Sequence, residues 1–102
     1  MAAHLLVLYP QPRDAAAFDR AYRTEHLPYA GPRLAGATGV ATRTVVGPEA
    51  QPPYHLLTDV SFPSLEALQA CAVSQGGQEA LAHAGSISSG GAPTVLVVLD
   101  EA

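Results

Sequence analysis

The chain has no Lys, Asn or Trp, and only one Cys, one Met and two Phe in 102 residues. A phosphate loop ending in GK[ST] is excluded, and the doublets Gly76-Gly77 and Gly90-Gly91 also lack the spacing of a dinucleotide fingerprint. Both doublets read as turns. A single Cys71 cannot form an intrachain disulfide, which fits a reducing cytoplasm. Basic residues are scarce. Five Arg stand against nine acidic residues, and the formal charge of −4 argues against a nucleic-acid or anionic-membrane partner. The opening MAAHLLVLYP is too short and too poor in basic residues for a signal peptide, and no run is long enough to span a membrane. With HExxH, CxxC and paired His at i, i+4 all missing, no metal site and no cofactor are expected.

What remains is 48% apolar and only 14% charged, the composition of a globular chain and not a disordered one. Its length suits one domain, 1–102. His4 to Tyr9 is an apolar run closed by Pro10 and Pro12, and predicts a strand. Asp14 is a good N-cap, and Ala15 to Ala17 favour the helix behind it. That helix is expected to stop near Leu27, because Pro28 disfavours helical geometry in the residue before it. Gly31 to Gly36 is a turn-rich connection, and the β-branched Val40 to Val46 predicts a second strand. Gly47 to Pro53 reads as a hairpin loop.

Tyr54 to Phe62 alternates as a third strand: Tyr54, Leu56, Thr58, Val60 and Phe62 on one face, His55, Leu57, Asp59 and Ser61 on the other. Ser64 caps a second helix to about Val73, Gln75-Gly76-Gly77 is expected to break it, and Gln78 to Ala84 forms a short third helix. Gly85 to Pro93 is expected to be a flexible loop. Thr94 to Leu99, apolar almost throughout, predicts a last strand covered on both faces. The order is ferredoxin-like, βαββαβ: a four-stranded antiparallel sheet with helices on one face. Its other face would be bare and apolar, so a homodimer packed sheet against sheet is expected.

The densest chemistry lies in FDRAYRTEHLPY, Phe18 to Tyr29. At about 3.6 residues per turn, Phe18, Tyr22, His26 and Tyr29 share one helix face. Phenols and an imidazole are odd packing residues, since each needs a hydrogen-bond partner when buried. That face reads as the wall of a pocket.

The element Tyr22-Arg-Thr-Glu-His26-Leu-Pro28 resembles a signature of the dimeric α+β barrel superfamily. With LLVLYPQPRDAAAFDRAYRTEHLP, the PYH at Pro53 to His55 and SFPSLEALQA at Ser61 to Ala70, the wider chain resembles its EthD branch, named for ethyl tert-butyl ether degradation. The resemblance implies a ferredoxin-like protomer, two of which close their sheets into a barrel, with a ligand cavity between sheet and helices in each. Superfamily members that degrade haem or form quinones rely on Trp and Asn, which are absent here.

His26 is the expected proton carrier. A helix C-terminus would favour its imidazolium and an apolar cavity would oppose it, which together would put its pKa near neutrality. The plain alternative is that it caps a free carbonyl. Tyr22 and Tyr29 would orient His26 or polarise a substrate carbonyl, or else pack with their hydroxyls at a wet rim. Phe18, Tyr54, His55, Cys71 and His83 are candidate substrate-binding residues. Cys71 would face His26 across the cavity as a thiolate, or serve as a small packing residue. His55 shares a strand face with Asp59, and His83 is either at the site or on the surface. The expected activity is acid–base chemistry of the isomerase, cyclase or lactone-processing kind on a small hydrophobic carbonyl or aromatic molecule. The other class is a non-catalytic binding or accessory protein using the same cavity.

Overall fold

Alternation in the first strand sorts its residues onto two faces. In the computed structural model, which describes residues 1–101, β1 (Ala3–Pro10) buries Ala3, Leu5, Val7 and Tyr9 and turns the residues between them to the other face. It lies at the centre of one antiparallel sheet of order β2-β3-β1-β4, with β2 at Gly39–Thr44, β3 at Tyr54–Phe62 and β4 at Thr94–Leu99. Helices cover one face: α1 (Ala15–Ala21), α2 (Leu27–Ala30), α3 (Leu65–Val73) and α4 (Gln75–Ile87). This is the ferredoxin-like order expected.

Asp14 caps α1 by accepting from the Ala17 amide at 3.0 Å, and Ser64 does the same for α3 from Ala67 at 3.1 Å. The first helical run does not stop at Leu27. Between α1 and α2 the chain makes a π turn, Tyr22–His26, in which the Leu27 N–H donates to the Tyr22 carbonyl. A proline ring ordinarily clashes with the carbonyl four residues back, here that of Thr24. The widened turn relieves that clash, so the helix passes through Pro28 and ends only after a 3-10 turn, Gly31–Arg33.

The second helix ends at Val73 and a third follows, as expected, but the break falls at extended Ser74, and Gly76 and Gly77 lie in the first turn of the new helix. Ser74 accepts from the Gly77 amide at 3.0 Å, and α4 starts at once and runs to Ile87, taking up the start of the expected loop. Both glycines serve close approach. A Cβ on Gly76 would lie 2.8 Å from the Arg33 carbonyl oxygen, and one on Gly77 only 1.9 Å from that of Cys71.

The core forms two clusters beneath the helices. One joins Ala3, Leu5, Val60, Phe62, Leu68 and Cys71; the other joins Val7, Tyr9, Phe18, Tyr22, Leu56 and Ala84. Each fully buried large side chain contributes about 2–3 kcal/mol. The opposite face of the sheet is uncovered. It carries Leu6, Leu8, Leu57, Leu96 and Val98, bounded by a polar cluster in which His4 lies 2.8 Å from Asp59 and 2.9 Å from Asp100, with Arg43 on Asp59 at 3.2 Å. Contrary to expectation, β4 is not covered on both faces. It is an edge strand, and Val95 to Leu99 are 38–52% exposed.

The third strand departs from simple alternation at its start. Tyr9 pairs with Leu56 but Pro10 with Tyr54, so His55 is the extra residue of a β-bulge. From Leu56 to Phe62 the even-numbered residues share one face as expected, and it is the face that meets the helices. The bulge exchanges the first two. The Tyr54 hydroxyl meets that of Thr94 at 3.2 Å, while His55 reaches Asp19 of α1 at 2.8 Å and packs edge-on against Phe18.

Candidate functional site

A cavity of about 140 Å³ lies along the seam between the two core clusters. Small residues explain it. Across from Leu5, Val7 and Val60 of the sheet, the helical elements offer Ala30, Gly31, Ala80 and Ala84, too short to fill the gap. Gly31 and Val40, both exposed, mark its mouth beside the edge strand β2. Three polar side chains line it: Tyr9, His26 and Thr58.

His26 is only 6% exposed, carried on the last residue of the π turn. Its Nε2 lies 3.4 Å from the Tyr9 hydroxyl, and its Nδ1 lies 2.9 Å from Nδ1 of His83. One imidazole must donate in that short contact and the other accept. With His26 as Nδ1–H donor, its Nε2 accepts from Tyr9 and every contact is satisfied. The helix continues past His26, so no C-terminal dipole favours its cation. The balanced pull expected from the sequence is therefore absent. Burial, with the neighbouring His83 adding to it, takes its pKa down to about 4. Burial also pushes the Tyr9 phenol above its ordinary range, so Tyr9 is a neutral donor.

His83 is half-buried, not a surface residue. It stacks on the Tyr29 ring at 4.5 Å, and the Arg33 guanidinium covers the other part of that ring at 3.7 Å. A row of groups thus runs from the cavity outward: Tyr9, His26, His83, Tyr29, Arg33.

Tyr22 lines another part of the molecule. Fully buried, it donates or accepts at Thr58 Oγ1 (2.7 Å) and Thr42 Oγ1 (2.8 Å), behind the cavity wall. Phe18 packs between Tyr9 and Tyr22 in the core. Tyr54 faces the open side of the sheet, away from the cavity. His55 is bonded to Asp19, and the Asp59 expected beside it belongs to His4 and Arg43. Cys71 does not face His26. It is packed among Leu5, Phe62 and Leu68, and burial raises its thiol pKa, the opposite of thiolate activation. Among the described residues, no three His, Cys, Asp or Glu converge as a metal site.

Sequence reading missed Tyr9 and Thr58. Their signal was present: both belong to the buried phase of alternating strands, where a hydroxyl is out of place.

No protein-family model and no curated protein matches the chain. Solved structures do. An EthD-family protein from Bacillus halodurans superposes with a TM-score of 0.87 at 24% identity, over 99% of this chain and 100% of that one. A dimeric ferredoxin-like protein of unknown function from Jannaschia gives 0.66 at 23% identity, over 97% and 98%. The hydroxynitrile lyase of Passiflora edulis gives 0.69 at 11% identity, over 99% and 94%. The chain has a ferredoxin-like fold, similar to that of the EthD-family protein from Bacillus halodurans.

Proposed function

We propose that the chain is a small-molecule enzyme that moves a proton on an apolar, carbonyl-bearing or aromatic substrate, with His26 as the carrier. The observation behind this is the 2.9 Å contact between His26 and His83. It joins an apolar cavity to a partly exposed imidazole, which is what a proton needs to enter and leave such a site. Neutral His26 takes a proton at Nε2 from a carbon or oxygen acid beside it. The Tyr9 hydroxyl donates to the oxyanion so formed, and that negative charge in turn raises the basicity of His26. The proton then returns to another atom of the substrate or leaves through Nδ1 to His83. Isomerisation, cyclisation and lactone chemistry have this form. Tyr29 acts by holding His83, and Tyr22 by holding Thr58.

The fold hosts enzymes, since one neighbour is a lyase. Another neighbour is dimeric, and the bare Leu6, Leu8, Leu57, Leu96 and Val98 face here supports a second copy packed sheet to sheet. The almost wholly apolar wall also favours a second reading, a carrier that binds without turnover.

Deuterium uptake at the α-carbon of cyclohexanone in D₂O, followed by proton NMR, separates the two. Uptake should accelerate with the wild type and fall at least about tenfold in His26→Gln, as for loss of a general base. Equal uptake with and without the protein leaves the carrier.

A further inference from the structure

We propose that the cavity selects neutral, single-ring molecules bearing one oxygen, and rejects both carboxylates and fused rings. This deepens the reading of the same site and rests on its being a binding cavity.

Size comes first. A cavity of about 140 Å³ is close to the roughly 150 Å³ hollow that accepts benzene in an engineered core. One six-membered ring with a substituent fills it. A second fused ring does not fit inside: Ala30, Ala80 and Ala84 are buried in close-packed helices, so it would have to stand out through the mouth at Gly31 and Val40 and forgo burial.

Polarity comes next. The polar residues along the wall are Tyr9, His26 and Thr58; the Thr58 hydroxyl is taken by Tyr22 at 2.7 Å, which leaves the Tyr9 hydroxyl and His26 Nε2, 3.4 Å apart. Elsewhere the lining is carbon. A single ligand oxygen that replaces the long contact between these two groups accepts from Tyr9 and donates to His26 Nε2.

Charge decides the rest. No Arg lines the cavity, and Arg33, next in the chain to the lining residue Leu34, lies over the Tyr29 ring, donates to the Tyr29 carbonyl at 2.8 Å and pairs with Glu79 at 3.4 Å. His26 is buried and uncharged at neutral pH. A carboxylate would leave water and meet no cation, which is strongly unfavourable.

The test is a matched series at pH 7 on the whole chain: phenol, toluene, benzoate and 2-naphthol, by calorimetry and by shifts of the His26 ring protons. Phenol should bind best, toluene about five- to tenfold more weakly for loss of the hydroxyl contacts. Benzoate should be weaker by at least about 100-fold. 2-Naphthol should leave the His26 signals unmoved. Tyr9→Phe keeps the ring and should bring phenol and toluene within about twofold of each other. Failure of phenol to bind, or benzoate or 2-naphthol binding as well as phenol, overturns the proposal. If Tyr9→Phe does not fold, the wild-type series alone decides. Selective binding of phenol without deuterium uptake by cyclohexanone upholds this inference and refutes the enzyme. Uptake together with tight benzoate binding does the reverse.

Discussion

Replacing Tyr22 by Phe removes one oxygen atom from the centre of the molecule. The residue is 0% exposed, and its ring packs against Phe18, Tyr9 and His26 at centroid distances of 6.1, 5.8 and 5.7 Å, all of which phenylalanine keeps. The loss is therefore confined to two hydrogen bonds, at 2.7 Å to Thr58 and 2.8 Å to Thr42. Thr42 is exposed and finds water instead. Thr58 is buried and loses the Tyr22 hydroxyl at 2.7 Å. One buried hydroxyl losing its best partner costs about 1–2 kcal/mol. For a domain of this size that lowers Tm by about 5–10 °C. Calorimetric melts of Tyr22→Phe, Thr58→Val and the double variant provide the assay. The double variant removes both polar partners, so its loss should be smaller than the sum of the singles by about 1 kcal/mol. A Tyr22→Phe variant melting within a degree of the wild type, or strict additivity in the cycle, would refute the view that this hydroxyl ladder holds the cavity wall.

Three further outcomes are expected. His4, between Asp59 and Asp100, has its pKa raised above 6.5, chiefly by the Asp59 bond, so its stabilisation is complete below pH 6.5 and disappears as pH climbs through the raised value. Urea midpoints should therefore fall more between pH 5.5 and pH 8.5 in the wild type than in His4→Gln, and parallel profiles would contradict this. Gly77→Ala drives a Cβ to 1.9 Å from the Cys71 carbonyl and should cost more than about 2 kcal/mol, whereas Gly85→Ala in the same helix meets nothing within 4 Å and should gain about 0.5–1 kcal/mol in thermal melts. Cys71, buried and with its pKa raised, should react with an aromatic disulfide reagent only on unfolding; rapid labelling of the native chain would place it elsewhere.

The architecture was legible because its signals are local. Alternation located β3 and a continuous apolar run located β4, both to the residue, and Asp14 and Ser64 announced their helices. The errors come from signals whose meaning depends on a partner. Pro28 stops an α-helix but not one that has opened into a π turn. Gly76 and Gly77 mark the break between α3 and α4 one turn late, because they serve the close approach of the Arg33 and Cys71 backbones inside the first turn of α4. The bulge at His55 depends on the register of β1, so Tyr54 and His55 exchanged faces. His26 was visible as a misplaced polar group on an apolar face. Its partner His83, 57 positions along the chain, has no pattern linking the two, and only the fold brings them together.

The proposed chemistry depends on an apolar cavity that keeps the His26 imidazole uncharged. Long-range nitrogen–proton NMR correlations of the His26 ring, recorded from pH 8 downward, test it most directly. The account predicts one tautomer protonated at Nδ1 that persists to a midpoint near 4. A His26 midpoint at the ordinary histidine value of 6.5 would mean that the ring is open to water, and the acid–base reading would go with it.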